Sequence, residues 1–600
     1  MSNRFTYIIA GTLLLIMFLL AIFSIAEDSF TFDETTHTAA GYSYLTQKDM
    51  RLNPEHPPLL KDLATIPLLF LNLNFPKDRP SWIQAEPPQW WAQFDFAFQF
   101  LYHSDNNPDQ ILFWSRMPMI LLLIFLGWFL FKWTRELFGP EGKPSASYGA
   151  SNKAALLALF LFSFSPTFLA HGRLVTTDVG AAAGVFIATY YFIKVLQNPS
   201  KKNIIFAGIS FGLAELCKFS VILLVPLFIF LALVWRLIKL GNLKQVFKIL
   251  ISVFVIGYLL IGLVYQYHVW NYPPEKQAQD TKSILASDNE FLSNLTIWMA
   301  DKPVLRPIAH YLLGLIMAFQ RTGGGDTTYF LGEISGAGWK TYFPVVYSIK
   351  EPLAFHILTL IALLYAAWLI KKPFWVNTFQ RTKGWIKNHF PEFAMLSFIV
   401  LYWAVSLYSN LNIGVRHLLP AFPFTILLVS AVAINFLKQP FLKLKYAIGG
   451  ALILWQATSV ISIYPYFLAY FNESVGGPDR GYIYVADSNL DWGQDLKRLS
   501  QWVDEKGIDK IYVDYSGGYD KRYYSAEKYY LKEKFAPWWG TRSPEELPKG
   551  SYLAVSAFFL QRGRGKPVPD FHDPTGYYRW LDKYTPVAKI DYSTFVYYIE

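Results

Sequence analysis

The sequence predicts a mainly α-helical protein that crosses a membrane many times and ends in a small α/β domain. Of its 600 residues, 53% are hydrophobic and 16% are charged, unlike the composition of an ordinary soluble enzyme. Aromatic residues make up 18% of the chain, which is typical of proteins with broad contact with the membrane interface. In a polytopic membrane protein, the net charge of +10 does not indicate nucleic-acid binding, and we expect no nucleic-acid partner.

Apolar runs long enough to cross about 30 Å of hydrocarbon recur along the chain. The run near residues 7–25 is longer than a signal-peptide core and lacks an obvious cleavage site, so we expect it to be retained as a helix. Counting one shorter run, the sequence predicts about eleven transmembrane helices, near 7–25, 111–131, 154–170, 179–196, Ile204–Cys217, 219–235, 247–265, 352–370, 393–409, 417–437 and 446–465.

Basic residues are distributed unequally between the two ends of these predicted helices. With a cytoplasmic N-terminus, the inside loops carry most of them, including Arg135, Lys153, Lys194, Arg236, Lys248, Lys383 and Lys438. The short outside turns hold little beyond Arg173, Lys218 and Arg416. By the positive-inside rule, we predict a multi-pass protein of the cytoplasmic (inner) membrane with the N-terminus inside.

Three segments do not span the membrane, and all three are predicted to lie outside. Two are loops of a transmembrane domain that covers residues 1–470: a large first loop over 26–110 and a second loop over 266–350. The third is the tail, 471–600, which we predict to be a separate extracytoplasmic α/β domain. In the tail, GYIYVADSN and DKIYVDYSGG predict strands, and LKRLSQWVDEKG predicts an amphipathic helix.

Ionisable residues near the membrane fall almost entirely on the predicted outer side. The stretch TFDETTHTAAGYSYL, Thr31–Leu45, follows the first helix directly and contains Asp33, Glu34 and His37. Other members of this set are Glu55, His56, Arg173, Asp178, Lys218, Arg416 and His417. Each residue alone fits a capping or snorkelling group equally well. Together, however, these acids and bases from separate turns predict one outward-facing polar cavity.

Such a cavity suits a lipid-linked sugar phosphate. Carboxylates remove a proton or bind a divalent metal, and Arg, Lys and His side chains hold an anion. The phosphate of a leaving polyprenyl phosphate needs this neutralisation as its bond to the sugar breaks. The sequence contains no P-loop and no Rossmann glycine motif, which argues against a cytosolic nucleotide-sugar donor. The alternative is a transporter or flippase of a lipid-linked or polar substrate, which also needs a polar cavity.

The first loop resembles that of the GT-C class of polytopic glycosyltransferases, in the family-39-like group of protein O-mannosyltransferases and aminoarabinose transferases. Asp33-Glu34 directly follows the first span, as does the acidic pair of the mannosyltransferases. The element NPEHPPLLK is similar to the E-K-P-P-L element of the aminoarabinose transferases, with Glu55 on the second acid and His56 in place of the lysine. Further similar blocks are AHGRLVTTDVGAA, GLAELCKFSVILLVP and SNLNIGVRHLLPAFP.

The resemblance implies a GT-C fold and an inverting transfer of a mannose-like sugar from a polyprenyl-phosphate donor to a hydroxyl of a protein, lipid or glycan. It implies catalytic roles for Asp33, Glu34 and Glu55, with Asp33 as the general base. Substrate-binding roles are implied for His56, Arg173, Asp178, Lys218, Arg416 and His417. Whether a divalent metal (Mg²⁺, Mn²⁺ or Ca²⁺) binds at Asp33, Glu55 and Asp178 stays open.

Two structural alternatives accompany these assignments. Asp33 and Glu34 also fit an interfacial helix cap. Lys218 lies three residues after Glu215, so the two side chains are spaced to pair with each other on a helix. His37, one turn beyond Asp33, is expected to be structural.

Overall fold

The computed structural model describes residues 3–83, 90–138, 152–286, 290–370, 376–439, 443–515 and 534–600. The α-helices of these residues are α1 Asn3–Phe23, α2 Phe32–Gln47, α3 Leu59–Thr65, α4 Pro80–Ile83, α5 Trp90–Tyr102, α6 Pro108–Phe138, α7 Asn152–Ser163, α8 Pro166–His171, α9 Asp178–Gln197, α10 Lys201–Glu215, α11 Leu224–Leu237, α12 Leu243–His268, α13 Pro274–Ile284, α14 Phe291–Ala300, α15 Arg306–Gly324, α16 Tyr342–Lys350, α17 Leu353–Trp368, α18 Thr378–Asn388, α19 Phe390–Tyr408, α20 Phe422–Lys438, α21 Leu444–Ile461, α22 Leu496–Glu505 and α23 Ala557–Arg564.

Strands are few and short among the described residues. They are β1 Thr328–Phe330, β2 Glu333–Ser335, β3 Ile511–Asp514, β4 Phe535–Pro537, β5 Ser551–Ser556, β6 Lys566–Pro567, β7 Ala588–Ile590 and β8 Thr594–Ile599. The 3-10 helices are Ile66–Phe70, Phe219–Leu223, Val415–Ala421, Phe467–Ala469, Glu473–Val475, Gly481–Ile483, Asp487–Asn489, Pro544–Glu546 and Arg579–Lys583.

The chain is a multi-pass, mainly helical membrane protein, as predicted, and every segment predicted to span the membrane contains a helix. Eight described helices are long and apolar enough to cross a bilayer: Asn3–Phe23, Pro108–Phe138, Asp178–Gln197, Phe219–Leu237, Leu243–His268, Phe390–Tyr408, Val415–Lys438 and Leu444–Ile461. The pair α16 and α17, bent by 111°, passes the same test only when its two helices are taken together, as a broken span or a re-entrant loop. Two of the predicted spans contain helices that are short for a bilayer crossing, α7 with 12 residues and α10 with 15. The total of eleven crossings therefore stays a prediction.

Small residues bring the central helices close together and thereby fix the ends that carry site residues. Gly184 of α9 faces Ala214 of α10, where an added Cβ would lie 2.8 Å from the Ala214 Cα. Gly212 of α10 lies equally close to the backbone of Gly257 in α12. Close backbone approach of this kind is the usual way in which membrane helices pack without large side chains between them. It holds the start of α9 beside the end of α10.

The first outer loop folds into α2 to α5 over the same end of the bundle. Gly41 of α2 lies against the backbone of α3, where an added Cβ would be 2.4 Å from the carbonyl oxygen of Lys61. The Lys61 ammonium is buried and donates hydrogen bonds to the Tyr44 hydroxyl and to the carbonyl oxygens of Asn53 and His56, at 2.8–2.9 Å. These contacts fix the loop that carries Glu55 against α2.

The tail contains a five-stranded mixed sheet in the order β4-β3-β5-β8-β7. Strand β3 is parallel to β4 and β5, whereas β8 is antiparallel to β5 and β7. Helix α22 packs its apolar face, with Leu499 and Val503, against Ile511 and Val513 of β3. The predicted amphipathic helix and the strand in DKIYVDYSGG are therefore present, although residues 516–518 of that stretch lie outside the described residues.

The strand predicted in GYIYVADSN is wrong, because this segment forms the 3-10 helices Gly481–Ile483 and Asp487–Asn489. Its polar side chains bond to the membrane domain instead of following a sheet. Ser488 donates to the carbonyl oxygen of Ile413, and the Asn489 side-chain oxygen accepts from the Val415 N–H at 2.9 Å. Asp487 has a left-handed φ of 59°, which interrupts extended backbone at this point.

Candidate active site

A capping box sets the start of α2 and therefore the direction of its first acidic side chains. The backbone N–H and the hydroxyl of Thr31 both donate to Oε2 of Glu34, at 3.0 Å each. Capping boxes satisfy donors that the first helical turn leaves unpaired. This contact turns Glu34 back over the helix start, and Asp33, one residue earlier, points elsewhere.

Glu34 lies in a buried ion-pair network rather than in a cavity. Arg116 of α6 donates to both its oxygens, from Nε at 2.8 Å and from Nη2 at 2.6 Å, and the Val175 N–H donates to Oε1 at 2.9 Å. Both side chains are fully buried. The predicted catalytic residue Glu34 is thus placed apart from the other acids, with both oxygens already engaged.

Arg173 belongs to the same buried network. Its Nη1 lies 2.9 Å from Asp28, which also pairs with Arg116 at 2.9 Å and with Arg498 of α22 at 2.8 Å. Burial would raise the pKa of Asp28, but the three arginines outweigh it and hold that pKa below its usual range. Arg173 is therefore committed to joining the end of α1 to the tail, and it does not line the cavity described next.

A cavity of about 260 Å³ opens beside α2 and collects most of the other predicted residues. Its charged and histidine side chains are Asp33, His37, Glu55, His56, Lys218, Arg321, Arg416 and His417. Apolar side chains supply the rest of the wall, including Phe32, Phe94, Phe219, Leu223, Phe319 and Phe343. The cavity thus combines a charged end with an apolar surface, contributed by segments that are far apart in sequence.

Arg416 connects two of the predicted acids. Its Nη1 donates to Oδ2 of Asp33 at 2.9 Å and lies 3.4 Å from Oδ2 of Asp178. Its Nε donates to the hydroxyl of Ser488 at 3.1 Å, and its guanidinium lies over the Trp492 ring, 4.0 Å from the centroid. Contacts on three sides hold the guanidinium in one orientation, with its charge beside Asp33.

Asp178 supports the cations rather than lining the cavity. It is the first residue of α9, is 1% exposed, and accepts from the Lys218 ammonium at 2.5 Å as well as from Arg416. A carboxylate at a helix N-terminus is stabilised by the helix dipole. One buried negative charge therefore holds two positive charges, Lys218 and Arg416, side by side at the cavity wall.

Lys218 consequently pairs with Asp178 and not with Glu215, the alternative suggested by their spacing. Glu215 is buried and accepts from the Tyr311 hydroxyl at 3.0 Å.

Glu55 lines the cavity with a buried carboxyl group. Its Oε1 accepts from the Asn53 side-chain amide at 3.0 Å, and the Gln93 side chain lies beside the same carboxyl group. Burial raises the pKa of Glu55 to about 7, against smaller opposing effects of Arg321 and Lys61. A group with these properties takes up or releases a proton near neutral pH.

Two histidines complete the wall next to Glu55. His37 donates from Nδ1 to the carbonyl oxygen of Val175 at 2.8 Å, and its ring meets that of His56 edge-on, with centroids 5.1 Å apart. Burial lowers the pKa of His37 to about 4 and the pKa of His56 well below its usual value. Both rings are therefore neutral at pH 7, which suits hydrogen bonding better than anion binding.

Arg321 is a site residue that the sequence analysis missed. It lies at the end of α15, lines the cavity, and is paired with Asp326 at 3.5 Å with 37% of its side chain exposed. Its place directly before the glycine-rich turn RTGGGD was the available signal, because such turns allow close approach of a ligand to the backbone.

The residues predicted to hold a metal do not fit one together. Asp33 and Asp178 are engaged with Arg416 and Lys218, and Asp178 lies behind the cavity wall. Across the described ranges, no group of three or more His, Cys, Asp or Glu side chains is arranged to hold a metal ion. We therefore derive no step through a metal, and metal dependence stays a prediction.

Comparison with known proteins supports the resemblance inferred from the first loop. Residues 110–262 match the family model described as dolichyl-phosphate-mannose-protein mannosyltransferase. No curated protein sequence matches the chain.

Among solved structures, the S. cerevisiae protein O-mannosyltransferase Pmt1-Pmt2 complex bound to the sugar donor is similar with a TM-score of 0.50, at 12% identity over 77% of this chain and 89% of that chain. ArnT from Cupriavidus metallidurans bound to undecaprenyl phosphate matches with a TM-score of 0.43, at 11% identity over 100% and 98% of the two chains. The Archaeoglobus fulgidus oligosaccharyltransferase tethered with an acceptor peptide matches with a TM-score of 0.46, at 13% identity over 89% of this chain and 64% of that one. The chain resembles the GT-C glycosyltransferases and has the GT-C fold.

Proposed function

We propose that the protein is a membrane glycosyltransferase that moves a mannose-like sugar from a polyprenyl-phosphate donor to a hydroxyl of a protein, lipid or glycan, with inversion. The observation that carries this proposal is the meeting of Asp33 with Lys218 and Arg416 in one cavity that also has an apolar wall. The bias of basic residues toward the opposite end of the bundle supports a reaction at the outer face of the cytoplasmic membrane.

The cations of the cavity suit the donor phosphate. Lys218 and Arg416 are held side by side by Asp178, and Arg321 lines the same space from α15. Phosphate oxygens accept short, charge-assisted hydrogen bonds from such groups. These bonds strengthen as negative charge develops on the leaving phosphate, so they favour the transition state over the bound donor.

The apolar wall suits the polyprenyl chain. Ile222 and Leu223, before α11, Leu315 and Ala318 of α15, and Val405 of α19 line the cavity. Two of these elements, Phe219–Leu237 and Phe390–Tyr408, are long and apolar enough to cross a bilayer, and Val405 is 40% exposed. A chain that leaves the cavity along them replaces bilayer lipid and requires no cover of its own.

Transfer is a single displacement at the anomeric carbon. The acceptor oxygen forms a bond to that carbon while the bond from the carbon to the phosphate oxygen breaks. The hydroxyl proton passes to the carboxylate of Asp33, and the polyprenyl phosphate leaves with its charge held by Lys218 and Arg416. We assign Glu55 to a hydrogen bond from a second donor group of the acceptor, because its carboxyl group lines the same cavity as Asp33 and the single proton of the reacting hydroxyl passes to Asp33.

Donor binding also prepares the base. In the structure, Asp33 is paired with Arg416 at 2.9 Å. A phosphate that accepts from Arg416 competes for this guanidinium. Donor binding therefore releases the Asp33 carboxylate from its ion pair, and the freed oxygen accepts the proton of the acceptor hydroxyl.

Arg321→Gln is expected to raise the KM for the donor about 10- to 100-fold, because a hydrogen bond from a charged group to the phosphate is lost. Because the Arg321 side chain is 37% exposed, the fold should be unaffected, and Arg542→Gln, exposed in the tail, is the matched control. Initial rates over a range of donor concentrations measure the effect. An unchanged donor KM in the Arg321 variant would remove this residue from the phosphate site.

The acceptor kcat/KM is expected to rise as the pH increases through about 7, since the ionised carboxylate of Glu55 accepts a stronger, charge-assisted hydrogen bond from the acceptor than its neutral form does. Protonation below this pH weakens that bond, so the sign is an increase with pH. Glu55→Gln should lower the rate and flatten this limb. If the variant keeps the same limb, another group produces the pH dependence.

The function is tested with purified protein in proteoliposomes, radiolabelled polyprenyl-phosphate mannose and a membrane extract as the acceptor source. Transfer of label to an extract component supports the proposal, and the chemistry of that component identifies the acceptor. If no polyprenyl-phosphate sugar is transferred or hydrolysed while labelled lipid crosses the bilayer, the protein is a flippase.

A further inference from the structure

A second cavity, of about 1140 Å³, lies between α1, α7, α17, α20 and α21. It begins at Lys153 and Lys445, near the N-terminal ends of α7 and α21, and reaches Gln456, three turns further along α21. Eleven helical residues correspond to about 17 Å, close to the depth of one leaflet of hydrocarbon. The N-terminal ends of α1 and α7 meet here through Arg135, at the end of the bundle opposite Asp33.

The walls of this cavity are apolar. They include Leu157, Phe160, Leu358, Leu364, Leu452 and Ile453. A void of this size and polarity inside a bilayer is neither filled by water nor left empty, because its lining would lose dispersion contacts on one side. Helix α21 is only 22% buried over its apolar window, so whatever fills the cavity completes its packing.

The rim of the cavity is positively charged. Lys445 is 7% exposed, lies on the lining, and donates to the carbonyl oxygen of Gln439. Lys153 lines the same rim, and Lys438 ends the adjacent α20. Neither Lys153, Lys438 nor Lys445 forms an ion pair with a carboxylate of the described residues. Within the described part of the chain, the rim therefore carries cationic charge that no carboxylate neutralises.

We propose that this cavity binds an anionic phospholipid, with acyl chains between the five helices and the phosphate at Lys153 and Lys445. Charge complementarity favours an anionic headgroup over a zwitterionic one, as in basic pockets between membrane helices at the cytoplasmic side. The site is separate from the cavity of Asp33, Lys218 and Arg416 and does not depend on the proposed transferase activity.

The headgroup is tested by titrating delipidated, detergent-purified protein with phosphatidylglycerol or with phosphatidylcholine of the same chains, followed by native mass spectrometry. Lys153→Gln and Lys445→Gln should each weaken phosphatidylglycerol binding about fivefold. The controls are Lys201→Gln and Lys248→Gln, each an equal charge change at an exposed position of the same end. Equal loss in the controls, or equal binding of both lipids by the original protein, would overturn the proposal.

The binding site of the acyl chains is tested by a substitution that places a large side chain in the cavity. Gly450 is a lining residue where an added Cβ meets nothing within 4 Å. Gly450→Phe should abolish most phosphatidylglycerol binding and the rise in melting temperature that the lipid produces. Gly11→Phe is the matched control, because Gly11 is exposed on α1, has equal space and does not line the cavity. Undiminished binding to a Gly450→Phe protein that melts cooperatively would show that the lipid lies elsewhere.

Discussion

Asp33→Asn is expected to reduce sugar transfer about 10²- to 10⁴-fold, the usual contribution of a positioned general base. The amide has nearly the shape of the carboxylate and still reaches Arg416, so the cavity keeps its form. It does not take the proton of the acceptor hydroxyl, and the chemical step slows. Initial rates at saturating donor and acceptor measure this loss, and donor binding measured separately should change little.

Two controls separate loss of the base from loss of the fold. Asp301→Asn removes a carboxylate that is 70% exposed in the second outer loop, and it should leave the rate unchanged. The melting temperature of the Asp33 variant should match that of the original protein, because Asp33 is 24% exposed and has one ion-pair partner. Near-normal turnover by Asp33→Asn would assign the base to Glu55 or to another group.

The membrane part of the fold was predictable because its signal is local. Apolar runs of sufficient length specify helices wherever the bilayer removes every other partner for the backbone. The bend between α16 and α17 was not predictable in this way, since α16 was assigned to an outer loop and, with nine residues, is too short to cross a bilayer without its neighbour. In the tail, GYIYVADSN has the alternation of a strand, but Ser488 and Asn489 bond to the backbone next to Arg416.

The candidate site was predictable in part, because topology places the ends of alternate helices on one face. This topology brings Asp33, Glu55, Lys218 and Arg416 to the same side, but it does not determine which way a side chain points. On a helix, adjacent residues differ in direction by about 100°. Asp33 rather than Glu34 enters the cavity because Glu34 is bound by Arg116, which lies 82 residues away in sequence.

Substitutions of Asp33 and Glu34 are therefore expected to have different effects: loss of activity for Asp33 and loss of stability for Glu34. Glu34→Gln keeps the shape of the side chain but leaves the charge of Arg116 only partly compensated, by Asp28. Removing one partner of a buried ion pair costs about 3–5 kcal/mol of the free energy of unfolding. We expect a loss of this size on thermal or denaturant unfolding, with a smaller loss of activity per folded molecule than in Asp33→Asn.

A double-mutant cycle with Arg116→Gln distinguishes this role from a catalytic one. In the double variant both buried charges are removed together, while Asp28 keeps its pairs with Arg173 and Arg498. The double variant should therefore lose less stability than the sum of the two single losses. Glu545→Gln, at an exposed turn of the tail, is the control and should be neutral. If Glu34→Gln is instead fully stable and inactive, Glu34 acts on the substrate, and the ion pair with Arg116 opens during the reaction.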